Sequence, residues 1–106
     1  MGFYLVTLEQ GPVWDYSRAR REQTGWKEHA EFINELEDRQ ELVLAGPLYD
    51  GPRVLQVHRA RNEAEIRSRL DPDPWVRANL LRIVFVEPWD LLVGTDRLGP
   101  RAPAAR

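Results

Sequence analysis

The sequence predicts an α+β fold of the ferredoxin-like kind, with element order β-α-β-β-α-β and an antiparallel sheet. Three observations predict it. Four short runs rich in β-branched, aromatic and other apolar residues are bounded by Gly, Pro, Asp or Glu. One segment repeats apolar residues at three- and four-residue steps, as an amphipathic helix does. A second, shorter helical segment stands between the third and fourth runs, opened by Asn62 and broken by Asp71-Pro72-Asp73-Pro74.

The elements follow in chain order. Residues 3–8 form the first strand, stopped by Glu9-Gln10-Gly11-Pro12. Residues 11–17 are a loop carrying Trp14 and Tyr16, and residues 18–23 suit a helix but show no apolar face. Thr24 is the expected N-cap of the main helix. Along it Trp26, His29, Ala30, Ile33, Leu36 and Glu37 recur on one side, and Phe32 widens the stripe. Glu28, Glu31, Glu35, Asp38 and Arg39 make the solvated side. Residues 42–48 form the second strand, and Tyr49-Asp50-Gly51-Pro52 supplies turn chemistry before a third strand at 53–60. Asn62 caps a helix over 63–70 with Ala64, Ile66 and Leu70 inward. Pro74 behind Asp73 opens a further short helix, and residues 80–86 form the fourth strand, ended by Glu87-Pro88. Residues 1–93 are thus the domain and residues 94–106 a flexible tail.

Composition narrows the function. A chain of 106 residues suits one domain that buries roughly two-thirds of its unfolded surface. Hydrophobic residues are 42% and charged residues 30%, an ordinary globular balance. A net charge of −2, with arginines dispersed among acids, offers no electrostatic footprint for nucleic acid or an anionic membrane. The absence of cysteine removes thiolate chemistry, disulfides and cysteine zinc sites, and fits a reducing compartment. Met1-Gly2-Phe3-Tyr4-Leu5-Val6 enters a strand directly, without the basic leader of a signal peptide. A cytoplasmic protein without metal or cofactor is expected: there is no phosphate-cradling glycine loop, and two distant histidines make a poor metal set.

The strands do not alternate cleanly between apolar and polar residues. Phe3 and Leu5 fall on one face of the first strand and Tyr4, Val6 and Leu8 on the other. In the fourth, Leu81, Ile83 and Phe85 oppose Leu80, Val84 and Val86. Two helices cover only one face of such a sheet, so the other needs a cover. The expectation is a homodimer with sheets face to face; the alternative is that the short helix and tail cover the face within one chain.

His29 lies in the middle of the best helical pattern, among apolar residues, where imidazole can give or take a proton near neutral pH. The bland alternative is a core histidine bonded to a backbone carbonyl. A carboxylate near it would fix its tautomer, and Asp71 and Asp73, each before a proline, both qualify, although Asp-Pro is also good helix-capping grammar. Tyr4, Trp14, Trp26 and Trp75 would line a pocket for a flat apolar substrate or simply pack in the core. Gly46-Pro47 would let a ligand approach the backbone or merely end a strand. His58 reads as structural or exposed.

Strand one followed by Gly11-Pro12-x-Trp14, then Arg21-Glu22-Gln23-x-Gly25-Trp26-x-x-His29-x-x-Phe32, Leu44-Ala45-Gly46-Pro47-Leu48, Asp73-Pro74-Trp75-Val76 and a strand ending Pro88-Trp89 resembles the YCII-related (YciI-like) family. The resemblance runs to about Leu92. It implies a ferredoxin-like subunit paired into a dimeric α/β barrel, and a pocket between helix and sheet whose polar pair is a histidine and an aspartate, mapping to His29 and Asp73. Relatives in that family include lyase-like enzymes, among them a dehydrochlorinase of a chlorinated hydroxyhydroquinone, and the fold is shared with muconolactone isomerase. A related branch associated with sigma factors carries Asp-Gly-Pro-Phe, whereas here Asp50-Gly51-Pro52 precedes Arg53. The expected function is a cofactor-independent lyase- or isomerase-like enzyme using His29 and Asp73 on a small organic substrate. The alternative is a non-catalytic dimeric module that binds a small molecule or regulates a partner.

Overall fold

The computed structural model describes residues 1–49 and 51–98. The chain runs through β1 (Gly2–Gln10), a 3₁₀ turn (Arg20–Glu22), α1 (Trp26–Asp38), β2 (Leu42–Pro47), β3 (Arg53–Ala60), α2 (Glu63–Leu70), α3 (Pro74–Arg77), β4 (Leu81–Trp89) and a second 3₁₀ turn (Thr95–Arg97). The strands form one sheet of order β2-β3-β1-β4 with every neighbouring pair antiparallel, the ferredoxin-like arrangement. Asp50, in the turn expected after β2, lies outside the described residues, as do residues 99–106 of the expected tail. Within 94–98 the second 3₁₀ turn ends on Leu98, whose carbonyl accepts a 2.8 Å hydrogen bond from Arg59.

One face of the sheet carries the core. Register pairs Tyr4, Val6 and Leu8 of β1 with His58, Gln56 and Val54 of β3, so these side chains share a face. Leu36 of α1, Ile66 and Leu70 of α2 and Trp75 of α3 pack with that side in one cluster. Ile66 and Leu70 stand four residues apart on α2 and are fully buried, each worth about 1.5–3 kcal/mol by removal from water. Asn62 accepts from the Glu65 N–H and caps α2 at 2.8 Å, as its sequence context predicts.

Several details differ from the sequence reading. Gly25, not Thr24, is the N-cap of α1; its φ of +80° is left-handed backbone that favours glycine. The Thr24 carbonyl instead accepts the indole N–H of Trp75 at 2.8 Å. Ala64 and Glu37 are exposed rather than inward. Ala64 is two residues from Ile66, more than half a helical turn away from the buried side. β4 continues through Pro88 to Trp89, because β4 is an edge strand where a missing N–H costs no ladder bond. The phase of β4 also breaks: Thr7 faces Phe85 while Leu8 faces Ile83. Val84 is the extra residue of that bulge, so Ile83 and Val86 share the helix side and Phe85 takes the other.

The second face holds Phe3, Leu5, Leu55 and Val57, together with Leu44, Phe85 and Trp89, which are 58%, 56% and 43% exposed. The described part of the chain leaves that apolar surface open.

Beneath α2 lies a buried polar group. Arg69 donates to His58 Nδ1 at 3.1 Å and to the Arg59 carbonyl at 2.9 Å, and pairs with Glu41 and Glu65. A guanidinium only donates, so Nδ1 is the acceptor; Nε2 therefore carries the hydrogen and donates to Gln56 Oε1 at 2.7 Å. His58 is thus structural and fully buried. Burial first, then the charge of Arg69, pushes its pKa from the ordinary 6.5 down to about 3. The unfolded chain takes up a proton below about 6.5 that the folded protein refuses. This contribution to stability is whole above pH 6.5 and is lost as pH falls toward about 3, at up to about 1.4 kcal/mol per pH unit. Denaturant titrations between pH 7 and 4 should show that slope, and His58→Gln should flatten it.

Candidate active site

Two breaks in the chain place the site. After α2, Asp71-Pro72 interrupts the helix and Asp73 becomes the N-cap of α3, with Pro74 in the first turn where its missing N–H costs nothing. Asp73 Oδ1 accepts the Trp75 backbone N–H at 2.9 Å. On the other side Gly25 opens α1, and His29 N–H completes the first turn on the Gly25 carbonyl at 2.9 Å. These two helix starts meet. His29 Nδ1 lies 2.8 Å from Asp73 Oδ1, across 44 residues of sequence.

The pair sits in an aromatic frame. The imidazole stacks on the Trp75 indole at 4.1 Å and an interplanar angle of 6°. Trp26 is tilted against both rings, and Trp14 meets Trp75 edge-on at 5.3 Å. Stacking and the Nδ1 contact together leave the ring little freedom. Asp73 is fully buried, whereas the His29 side chain keeps 11% of its surface open. With a carboxylate against Nδ1, that nitrogen is the donor and the neutral ring carries its lone pair on Nε2, on the side away from Asp73. The Oδ2 atom of Asp73 is buried with no partner among the described residues, so the carboxylate is held through Oδ1 alone.

The remaining expected residues divide. Trp14 and Trp75 belong to this frame and are both buried. Tyr4 does not: it lies six residues before Gln10 on β1, about 20 Å along the strand, and its hydroxyl reaches the Arg61 carbonyl. Gly46 and Pro47 end the edge strand β2, opposite Leu55 and Val54; a Cβ added at Gly46 would meet nothing within 4 Å. A cleft of about 840 Å³ between α1 and α2, lined by Phe32, Glu35, Arg39, Glu41, Glu65 and Arg69 among others, includes neither His29 nor Asp73.

The sequence reading missed the residues that shape the loop before α1. Gln23 is 3% exposed; its amide donates to the carbonyls of Asp15 and Arg18 and accepts the Asp15 N–H at 3.1 Å. It ties the loop that carries Trp14. A Cβ at Gly11 would collide with the Asn79 carbonyl, so glycine lets this loop leave β1 tightly against the end of α3. Arg20 and Arg21 place their guanidinium groups over the rings of Trp14 and Trp26, at 5.0 and 5.5 Å from the centroids. A glutamine in a segment without apolar period gives no signal of such a role. Among the described residues there is no group of three or more His, Cys, Asp or Glu side chains placed to hold a metal ion. No described helix is long and apolar enough to cross a membrane.

The fold is similar to that of a solved structure, 5-chloro-2-hydroxyhydroquinone dehydrochlorinase from Burkholderia phenoliruptrix AC1100 in complex with 2,5-dihydroxybenzoquinone. The TM-score is 0.58 at 19% identity, covering 83% of this chain and 93% of that one. No family model matches the chain, and no curated protein matches it. At that identity the likeness carries the fold alone.

Gln23→Ala strands one backbone donor and two acceptors of the loop. Amide exchange at 15–25 should accelerate, and stability should fall by about 1–3 kcal/mol in denaturant titration.

Proposed function

We propose that this chain is a YCII-related protein acting as a cofactor-independent lyase- or isomerase-like enzyme, with His29 as the proton carrier and Asp73 as the group that orients it. The observation that carries the reading is the 2.8 Å contact from Nδ1 to a buried carboxylate, which leaves Nε2 as the uncommitted nitrogen of a ring whose side chain keeps 11% of its surface open. An imidazole so held takes a proton at Nε2 and returns it elsewhere on the substrate, while the carboxylate stabilises the imidazolium formed in between. Abstraction of a proton next to a carbonyl, followed by elimination or a double-bond shift, is the reaction class this allows. The similar fold of a dehydrochlorinase supports elimination from a hydroxylated ring as the first chemistry to try.

The test separates base from scaffold. His29→Asn keeps a side-chain N–H directed at Asp73 and removes Nε2. Wild-type protein is screened against 5-chloro-2-hydroxyhydroquinone and a panel of small carbonyl compounds, following halide release and C–H/C–D exchange in deuterated water. Turnover is expected in the wild type and should fall at least about 100-fold in His29→Asn and Asp73→Asn, at a temperature where circular dichroism shows both variants folded. A bound compound returned unchanged and unexchanged would favour the second reading, a non-catalytic small-molecule-binding module. Burial of Asp73 at a helix cap lends that reading its support, because the pair also staples α1 to α3.

We further propose that the open sheet face closes against a second copy of the chain. Leu44, Phe85 and Trp89 on that face form an exposed apolar surface of the kind monomers avoid. Two-fold pairing of identical sheets buries such a face without a new element. Sedimentation should give a dimer for the wild type and a monomer for Phe85→Asp.

A further inference from the structure

Two cations stand beside the His29 frame with no carboxylate paired to them among the described residues. The 3₁₀ turn Arg20–Glu22 sits in the loop that Gln23 ties down, and it presents successive guanidiniums to successive tryptophans. Arg21 lies over Trp26, whose ring adjoins the imidazole at 6.1 Å; Arg20 lies over Trp14, which abuts the Trp75 ring on which the imidazole stacks. Each guanidinium is therefore separated from His29 by one or two aromatic rings.

Neither has an acid. Among the described residues no carboxylate comes within ion-pair distance of Arg20 or Arg21, and neither guanidinium makes a hydrogen bond. The nearby acids are turned elsewhere: Glu22 accepts from the Ala19 N–H and Asp15 from Ser17. By contrast Arg39, Arg61, Arg67, Arg69 and Arg82 each face a glutamate. Arg18, Arg53, Arg77 and Arg97 have no ion-pair partner among the described residues either, but none of these four lies over an aromatic ring as Arg20 and Arg21 do. Arg20 is also half-buried, and that burial pushes its pKa down with no anion to offset the cost. Neither guanidinium spends an N–H on a partner among the described residues, so its donors remain available to a carboxylate or enolate, which a guanidinium can grip with two bonds.

We propose that Arg20 and Arg21 are the specificity residues of the His29 site and select a small planar substrate bearing a carboxylate or enolate charge. The inference rests on the acid–base reading of His29 and deepens it. Proton removal at a carbon next to a carbonyl places negative charge on the carbonyl oxygen, and a nearby guanidinium stabilises that charge as well as the ground-state anion.

The probes are benzoate and its neutral isostere benzamide. Binding is followed at low salt by tryptophan fluorescence and by the ¹⁵N shifts of the His29 ring. Benzoate should move the His29 resonances and bind at least tenfold more tightly than benzamide, with an affinity that falls as salt rises. Arg20→Gln/Arg21→Gln should weaken benzoate at least tenfold and leave benzamide and the melting temperature unchanged. Equal binding of the two wild-type ligands at His29 overturns the charge selection while leaving the acid–base reading standing, and it needs no variant to be decisive. So does a double variant that keeps the preference for benzoate. A His29 ring that neither ligand reaches overturns the open site, and the selection with it.

Discussion

With the Trp75–Thr24 hydrogen bond beside it, the contact between His29 and Asp73 ties α1 to the start of α3 across 44 residues. Both residues sit at the start of a helix, and each start is made by a local rule: left-handed Gly25 before α1, Asp73-Pro74 before α3. Asp73 Oδ1 serves the α3 cap and the imidazole at once, so the orientation of α3 and the tautomer of His29 are set by one oxygen. Trp75 then carries the arrangement outward. It stacks on the imidazole, donates its indole N–H to Thr24 and supports Trp14 and Trp26. A change at this point is felt in α1, in α3 and in the loop between β1 and α1.

The same economy explains why structure and chemistry are hard to separate here. A buried carboxylate is costly unless its charge is matched, and Asp73 is matched only through Oδ1. The histidine and the Trp75 N–H are what make the aspartate tolerable, and the aspartate is what fixes the tautomer of the histidine. The second buried histidine shows the contrast. His58 has both ring nitrogens occupied, by Gln56 and Arg69, and its protonation is suppressed. It can hold a core together but offers no free lone pair. His29 has one nitrogen engaged and one edge open.

Much of the fold was legible in the sequence because local rules decided it. Asn62 capped α2, Ile66 and Leu70 turned inward, and the order of four strands and two main helices followed from periodicity and punctuation. The errors fell where a non-local partner overrode a local preference. Thr24 is a good cap by residue type, but its carbonyl is committed to Trp75, and the cap passed to Gly25. The alternation expected in β4 failed at Val84, because a bulge depends on the register of the neighbouring strand. Tyr4, grouped with the tryptophans by chemistry alone, lies at the far end of β1. Arg21 and Gln23 stand in the Arg21-Glu22-Gln23-x-Gly25-Trp26 run that carries the family resemblance, but neither that run nor any periodicity says what they do, and the contacts of Gln23, Arg20 and Arg21 exist only once the loop is folded.

By itself the sequence determined the class of fold, the positions of the elements and the excess of apolar residues over what two helices can cover, since each is a matter of spacing, capping and composition along the chain. Only the tertiary structure decided which of Asp71 and Asp73 meets His29, which ring nitrogen is left open, and which arginines stand unpaired over aromatic rings. Those outcomes depend on distances between residues five to 44 positions apart, and a hydrogen bond or a stack is formed within a few tenths of an ångström that no one-dimensional pattern encodes.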